Sequence, residues 1–166
     1  MQGEEVIVEV NFLVPATREE TWAVLTDYDN ATRFITNLEK SVVLSRSGDT
    51  MVVSQKGDVS LGPFSVSVDT VTEIRLKPPE AMHSRMLSGS MKSHAATTRL
   101  IAEAGGTRIV HQAQSNPDMW IPPLIGPAMI RHEARLRFRQ LHDEILRRKD
   151  AARPQQPAAA APPVAP

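Results

Sequence analysis

The chain has 166 residues, with 19 Lys+Arg against 19 Asp+Glu and no cysteine. That length fits one domain, since domains cluster near about 100–150 residues. The missing cysteines exclude disulfides, thiolate metal sites and a Cys nucleophile, and a zero charge balance argues against general nucleic-acid affinity, DNA included.

The neutrality hides a gradient. Residues 1–40 carry a net charge of −5, whereas residues 128–149 carry +4. No apolar stretch reaches the ~18 residues of a membrane span. The start, Met1-Gln2-Gly3-Glu4-Glu5, lacks the basic and apolar regions of a signal peptide, so a cytoplasmic location is expected.

The first strand reads clearly. Val6, Val8, Val10, Phe12 and Val14 alternate with Glu5, Glu9 and Asn11, and Pro15 stops the run. Thr17 with Glu20 makes a capping box for a short helix carrying Trp22, Ala23 and Leu25. Asp29 is placed to cap a second short helix through Phe34 and Ile35.

Strand-like runs follow, punctuated by turn residues. They are Val42–Ser45, Met51–Val59, Phe64–Leu76, Met82–Leu87, Ser93–Ala102 and Arg108–Ser115. Gly48, Gly62, Gly89 and Gly105-Gly106 fall between them, which describes an antiparallel meander. Gly126-Pro127 then opens a long helix, with Pro at the first helical position. Ile130, Ala134, Phe138, Leu141 and Ile145 recur on one face of it. Arg131, Arg135, Arg139, Arg147 and Arg148 mostly lie off that face. From Ala151 onward the composition is Ala, Pro and Gln, so residues 151–166 are expected to be a disordered tail and residues 1–150 the folded domain.

The expected fold is therefore α+β: about seven antiparallel strands, two short helices after the first strand, and a long C-terminal helix covering the sheet. One helix across a wide curved sheet leaves space beneath it, and such spaces bind ligands.

The run Val8–Val14, Pro15-Ala16-Thr17-Arg18-Glu19-Glu20 and Leu25-Thr26-Asp27-Tyr28 resembles the opening of the START-like (SRPBCC) superfamily. Pro122-Pro123-Leu124-Ile125 through Leu141 is similar to its loop and closing helix. Within it the chain resembles the polyketide cyclase/dehydratase and coenzyme Q-binding branch, although Asn30-Ala31-Thr32 replaces a tyrosine-proline step before Phe34. The resemblance spans about residues 5–148 and implies a helix-grip fold that holds a hydrophobic or aromatic small molecule between sheet and helix. No cofactor is implied.

Candidate site residues follow. The loop Asn116–Pro127 is apolar but proline-barred from pairing, so it must pack on the core, lid a cavity, or touch a membrane or partner transiently. Trp120 is its natural anchor. Phe34, Phe64, Met86, Ile125, Met129, Ile130 and Ala134 are the other expected ligand contacts. His111 and Glu133 are the only plausible bases for cyclase or dehydratase chemistry. Glu133 and Arg137 stand four apart and read either as a surface ion pair or with Glu133 turned into the cavity. His94 lies one strand before His111, but two histidines make a poor metal site. Leu136 replaces the second His that a zinc helix starting at His132-Glu133 would need, so no metal is expected. Three functions remain in view: a hydrophobic-ligand carrier, an aromatase/cyclase or dehydratase, and a ribosome-associated binder acting through the Arg-rich helix. The chain is expected to be a monomer or homodimer.

Overall fold

The structure, a computed structural model, describes residues 5–117 and 125–153. Strand β1 (Val6–Val14) leads into helix α1 (Arg18–Leu25) and a 3-10 turn (Tyr28–Arg33). Strands β2 (Leu38–Ser47), β3 (Thr50–Leu61), β4 (Phe64–Lys77), β5 (Ala81–Gly89), β6 (Met91–Glu103) and β7 (Gly106–Pro117) follow, and α2 (Gly126–Ala151) closes the domain. Trp120 and residues 154–166 lie outside the described residues.

The seven strands form one antiparallel sheet in the order β1-β7-β6-β5-β4-β3-β2. β1 and β2 are thus opposite edges, and α1 with the 3-10 turn carries the chain from one to the other. Register shifts interrupt the β2–β3, β4–β5 and β6–β7 pairings. Such bulges bend and twist strands, so the sheet curves around α2. The period-two alternation of β1 is realised: Val6, Val8 and Val14 are buried while Ile7 and Leu13 face outward.

The capping box of α1 forms, with Glu20 N–H donating to Thr17 Oγ1 at 3.1 Å and Thr17 N–H to Glu20 Oε2 at 2.9 Å. The second short helix is a 3-10 turn, and Asp29 does not cap it. Its Oδ1 instead accepts from the Val43 N–H of β2 at 2.8 Å, which ties the turn to the edge strand.

The densest core lies where α1 meets the C-terminal half of α2. Val14, Val24, Met51, Val53, Ile74, Leu100, Ile109, Phe138 and Ile145 pack there, with Phe12 edge-on to Phe138 at 5.9 Å between centroids. The opposed end charges also meet at this pole. Arg148 donates to Asp27 at 2.7 Å and to Glu144 at 2.8 Å. Arg147 forks onto Glu144 at 2.7 and 2.8 Å. The Arg147 hydrogen bond, assisted by Arg148, holds the Glu144 carboxyl at about 2 against burial.

The β6–β7 turn shows how tightly the edge is drawn. Gly106 has φ +147°, and a Cβ there would sit 2.0 Å from the Val14 carbonyl oxygen. Gly48 also has positive φ (+58°), but its Cβ would meet open space. Gly106→Ala is therefore expected to cost more than about 2 kcal/mol, and Gly48→Ala about 1. Urea midpoints of the two variants test this; equal midpoints would contradict the close approach of the β6–β7 turn to β1.

Candidate functional site

Between the sheet and the N-terminal half of α2 lies a cavity of about 340 Å³, within the usual size range of small-molecule pockets. Ile130, Glu133, Ala134, Arg137, Phe138 and Leu141 line it from α2, a spacing of three and four that presents one helical face. Val66, Val68, Thr70, Thr72 and Ile74 line it from β4, on the alternating inward positions of that strand. The floor comes from Ala96 and Thr98 on β6 and His111, Ala113 and Ser115 on β7. Tyr28, Phe34 and Ile35 close it near the 3-10 turn.

Of the residues expected to contact ligand, Phe34, His111, Met129, Ile130, Glu133 and Ala134 line this cavity. Phe64 has the inward parity of β4 but lies at the tip of the β3–β4 hairpin, 48% exposed and off the cavity wall. Parity sets the side of the sheet; it does not say how far the cavity extends along the strand. Met86 is half-buried beside the register shift that separates Met86 from Ser88 opposite β4, and it is not on the wall. Ile125 is half-buried just before α2 and does not line the cavity either.

The polar groups of the floor pair across strands. The register sets Thr98 opposite His111 and His94 opposite Ser115. Hydrogen bonds join His111 Nδ1 to Thr98 Oγ1 at 2.8 Å and His94 Nδ1 to Ser115 Oγ at 2.7 Å. Each Nε2 is left without a hydrogen-bond partner among the described residues. The His111 ring also lies against Phe138, 4.7 Å between centroids. Burial, reinforced by His94 and Arg137, lowers the His111 pKa to about 4. Burial and then Arg137 lower His94 as well. Both rings are therefore neutral at physiological pH.

Glu133 acts as a brace. Its Oε1 accepts from the Ser60 N–H of β3 at 3.0 Å, and its Oε2 accepts from Asn37 Nδ2. Asn37 also donates to the Asp58 carbonyl at 2.8 Å. Both carboxylate oxygens are thus occupied, tying α2 to β3 and to the segment before β2.

Tyr28 and Arg137 are two polar wall residues absent from the expected ligand contacts. Burial pushes the Tyr28 phenol up to about 12, and its hydroxyl donates only to the Met82 sulfur at 3.8 Å. Arg137 does not form the surface ion pair with Glu133 that their spacing allows. It faces the cavity, and burial lowers its pKa from the ordinary arginine value. The arginines of α2 thus divide. Arg147 and Arg148 are ion-paired; Arg131, Arg135, Arg137 and Arg139 all keep much accessible surface, and of these four only Arg137 lines the cavity. The signal for Arg137 was its place seven residues after Ile130, on the same stripe.

Among the described residues no three His, Asp or Glu side chains cluster as metal ligands, and no helix is long and apolar enough to cross a membrane.

A depressed histidine pKa means that the folded chain binds fewer protons than the unfolded chain below about 6.5. Acidification from there toward about 4 should therefore cost stability. In imidazole NMR titrations His111 is expected to stay neutral until close to pH 4. A His111 ring that titrates near 6.5 in the folded protein would contradict the buried site.

A family model described as polyketide cyclase/dehydrase and lipid transport matches residues 14–143. By sequence, no curated protein matches the chain. Among solved structures, the Zhui aromatase/cyclase from Streptomyces sp. R1128 superposes with TM-score 0.76 at 17% identity, covering 90% of this chain and 98% of that one. A START superfamily protein from Mycobacterium smegmatis gives 0.70 at 10% identity over 85% and 97%. A STAR-related lipid transfer protein from Xanthomonas axonopodis gives 0.68 at 14% identity over 83% and 84%. These likenesses carry the fold, a curved sheet gripping a C-terminal helix. With the family model matching well over half of the chain, the chain belongs to the polyketide cyclase/dehydrase and lipid transport family.

Proposed function

We propose that the chain binds and carries a hydrophobic small molecule, such as a lipid, an isoprenoid quinone or an aromatic polyketide, in the cavity beneath α2. The observation that carries this reading is the cavity itself: about 340 Å³, with more than half of its wall residues Val, Ile, Leu, Phe, Ala or Met. Its polar floor groups are mostly paired with each other, which leaves apolar surface as the main offer to a ligand. Native mass spectrometry of purified protein, followed by organic extraction, should find a co-purifying apolar molecule. A folded protein that always runs at its bare mass and binds no lipophilic dye would overturn the reading.

A second reading is an aromatase/cyclase or dehydratase. It is favoured by His111, a neutral ring on the cavity wall, and by the likeness to an aromatase/cyclase structure. His111 would take a proton from the acidic carbon between two ketones of a poly-β-ketone. The resulting enolate carbon would then bond to a second carbonyl carbon, whose oxygen takes up a proton; loss of water and a shift of ring C–H protons onto ring ketone oxygens would complete aromatisation. A base held near pKa 4 is a weak proton acceptor at neutral pH, which ranks this reading second. If it holds, turnover of a poly-β-ketone mimic falls at least ~100-fold in His111→Ala. Unchanged turnover in that variant removes His111 as the base.

A further inference from the structure

Arg137 stands in the middle of the cavity-facing stripe of α2, between Ala134 and Phe138. Its side chain lines the cavity and keeps a large accessible surface, so the guanidinium is open to whatever occupies the cavity. Guanidinium cannot shed its charge at physiological pH, unlike a buried histidine or lysine. A guest that fills the cavity strips water from that cation, which then needs a counter-charge or several acceptors.

No carboxylate of the described protein pairs with Arg137 directly, although the Glu133 charge one turn back acts on it from a distance. Arg137 makes no hydrogen bond or ion pair among the described residues. Glu133, the nearest carboxylate on its own helix, has both oxygens engaged by Asn37 and Ser60. Asp27, also on the wall, is bound to Arg148. Asp58 faces the cavity from β3 without an ion pair to Arg137, and Lys56 beside it pairs with Glu39. The remaining polar neighbours are donors or neutral. Tyr28 offers a hydroxyl spent only on a sulfur, and His94 and His111 are neutral rings.

Resting on the cavity-binding reading above, we propose that the ligand is an amphiphile with an ionised acidic oxygen. Arg137 holds that oxygen inside the cavity, Tyr28 is the second donor, and the apolar body lies along β4 and β7. The shared chemistry is an anionic oxygen on an apolar frame, whether the frame is an alkyl chain or an aromatic ring system. A charge-assisted pair out of bulk water discriminates an acid from its neutral ester much more strongly than a neutral hydrogen bond does.

Displacement of the neutral dye N-phenyl-1-naphthylamine from the full chain at neutral pH tests this. Dodecanoate with its methyl ester, and 2-naphthoate with its methyl ester, are the competitors; the pair with the larger effect identifies an alkyl or an aromatic frame. In the unmodified protein at least one acid should displace the dye at about tenfold lower concentration than its ester. Arg137→Gln should bring acid and ester together while still binding the dye, and Arg137→Lys should restore part of the preference. Tyr28→Phe should weaken the acid alone. If the dye binds but acids and esters compete equally, or if Arg137→Gln keeps the preference, the acidic-head assignment is wrong while cavity binding stands. If the dye and all four competitors fail to bind, the cavity-binding reading fails and this proposal falls with it.

Discussion

A single helix of 26 residues has to cover a sheet of seven strands. A helix with side chains is about 10–12 Å across, whereas seven strands at their usual spacing span about 29 Å. Bulges curl the sheet and remove part of the difference. At one pole α1 joins α2, and large side chains fill what remains. At the other pole no such layer exists among the described residues, and the mismatch persists as a cavity. The ligand space is therefore a product of stoichiometry between elements, created before any particular side chain is chosen.

Side chains then decide what the space will accept. Most of the polar groups on the inner face are arranged to cancel. Thr98 satisfies His111, Ser115 satisfies His94, and Asn37 with the Ser60 amide satisfies Glu133. Such pairing lets polar residues sit on an inner face without the penalty of unsatisfied burial. Arg137 breaks the pattern, since it is charged, lines the cavity and has no hydrogen-bond or ion-pair partner among the described residues.

Much of this was legible in the sequence. The alternation of β1, the capping box at Thr17 and the Gly126-Pro127 helix start each act locally, and each is realised at its place. The family resemblance and the helix-grip order agreed with that local reading. What escaped was set by distance along an element or by tertiary partners. Phe64 has the right parity but sits beyond the end of the cavity. Asp29 found the Val43 amide of an edge strand in place of its own turn. Glu133 and Arg137 have the spacing of a surface pair, but Glu133 was claimed by Asn37 and Ser60 from across the domain. The opposed charges at the chain's two ends do meet, through Asp27 and Arg148, which the composition suggested and only the fold could specify.

The two halves of α2 rest on different foundations. Ile145 is seated in close-packed core and Arg148 is anchored to Asp27, whereas Ile130, Glu133 and Ala134 border open volume. The free energy of local opening follows such differences in packing. The rear of the helix thus serves the fold and its front serves the guest space, so changes to the cavity wall need not disturb the contacts that hold the domain together.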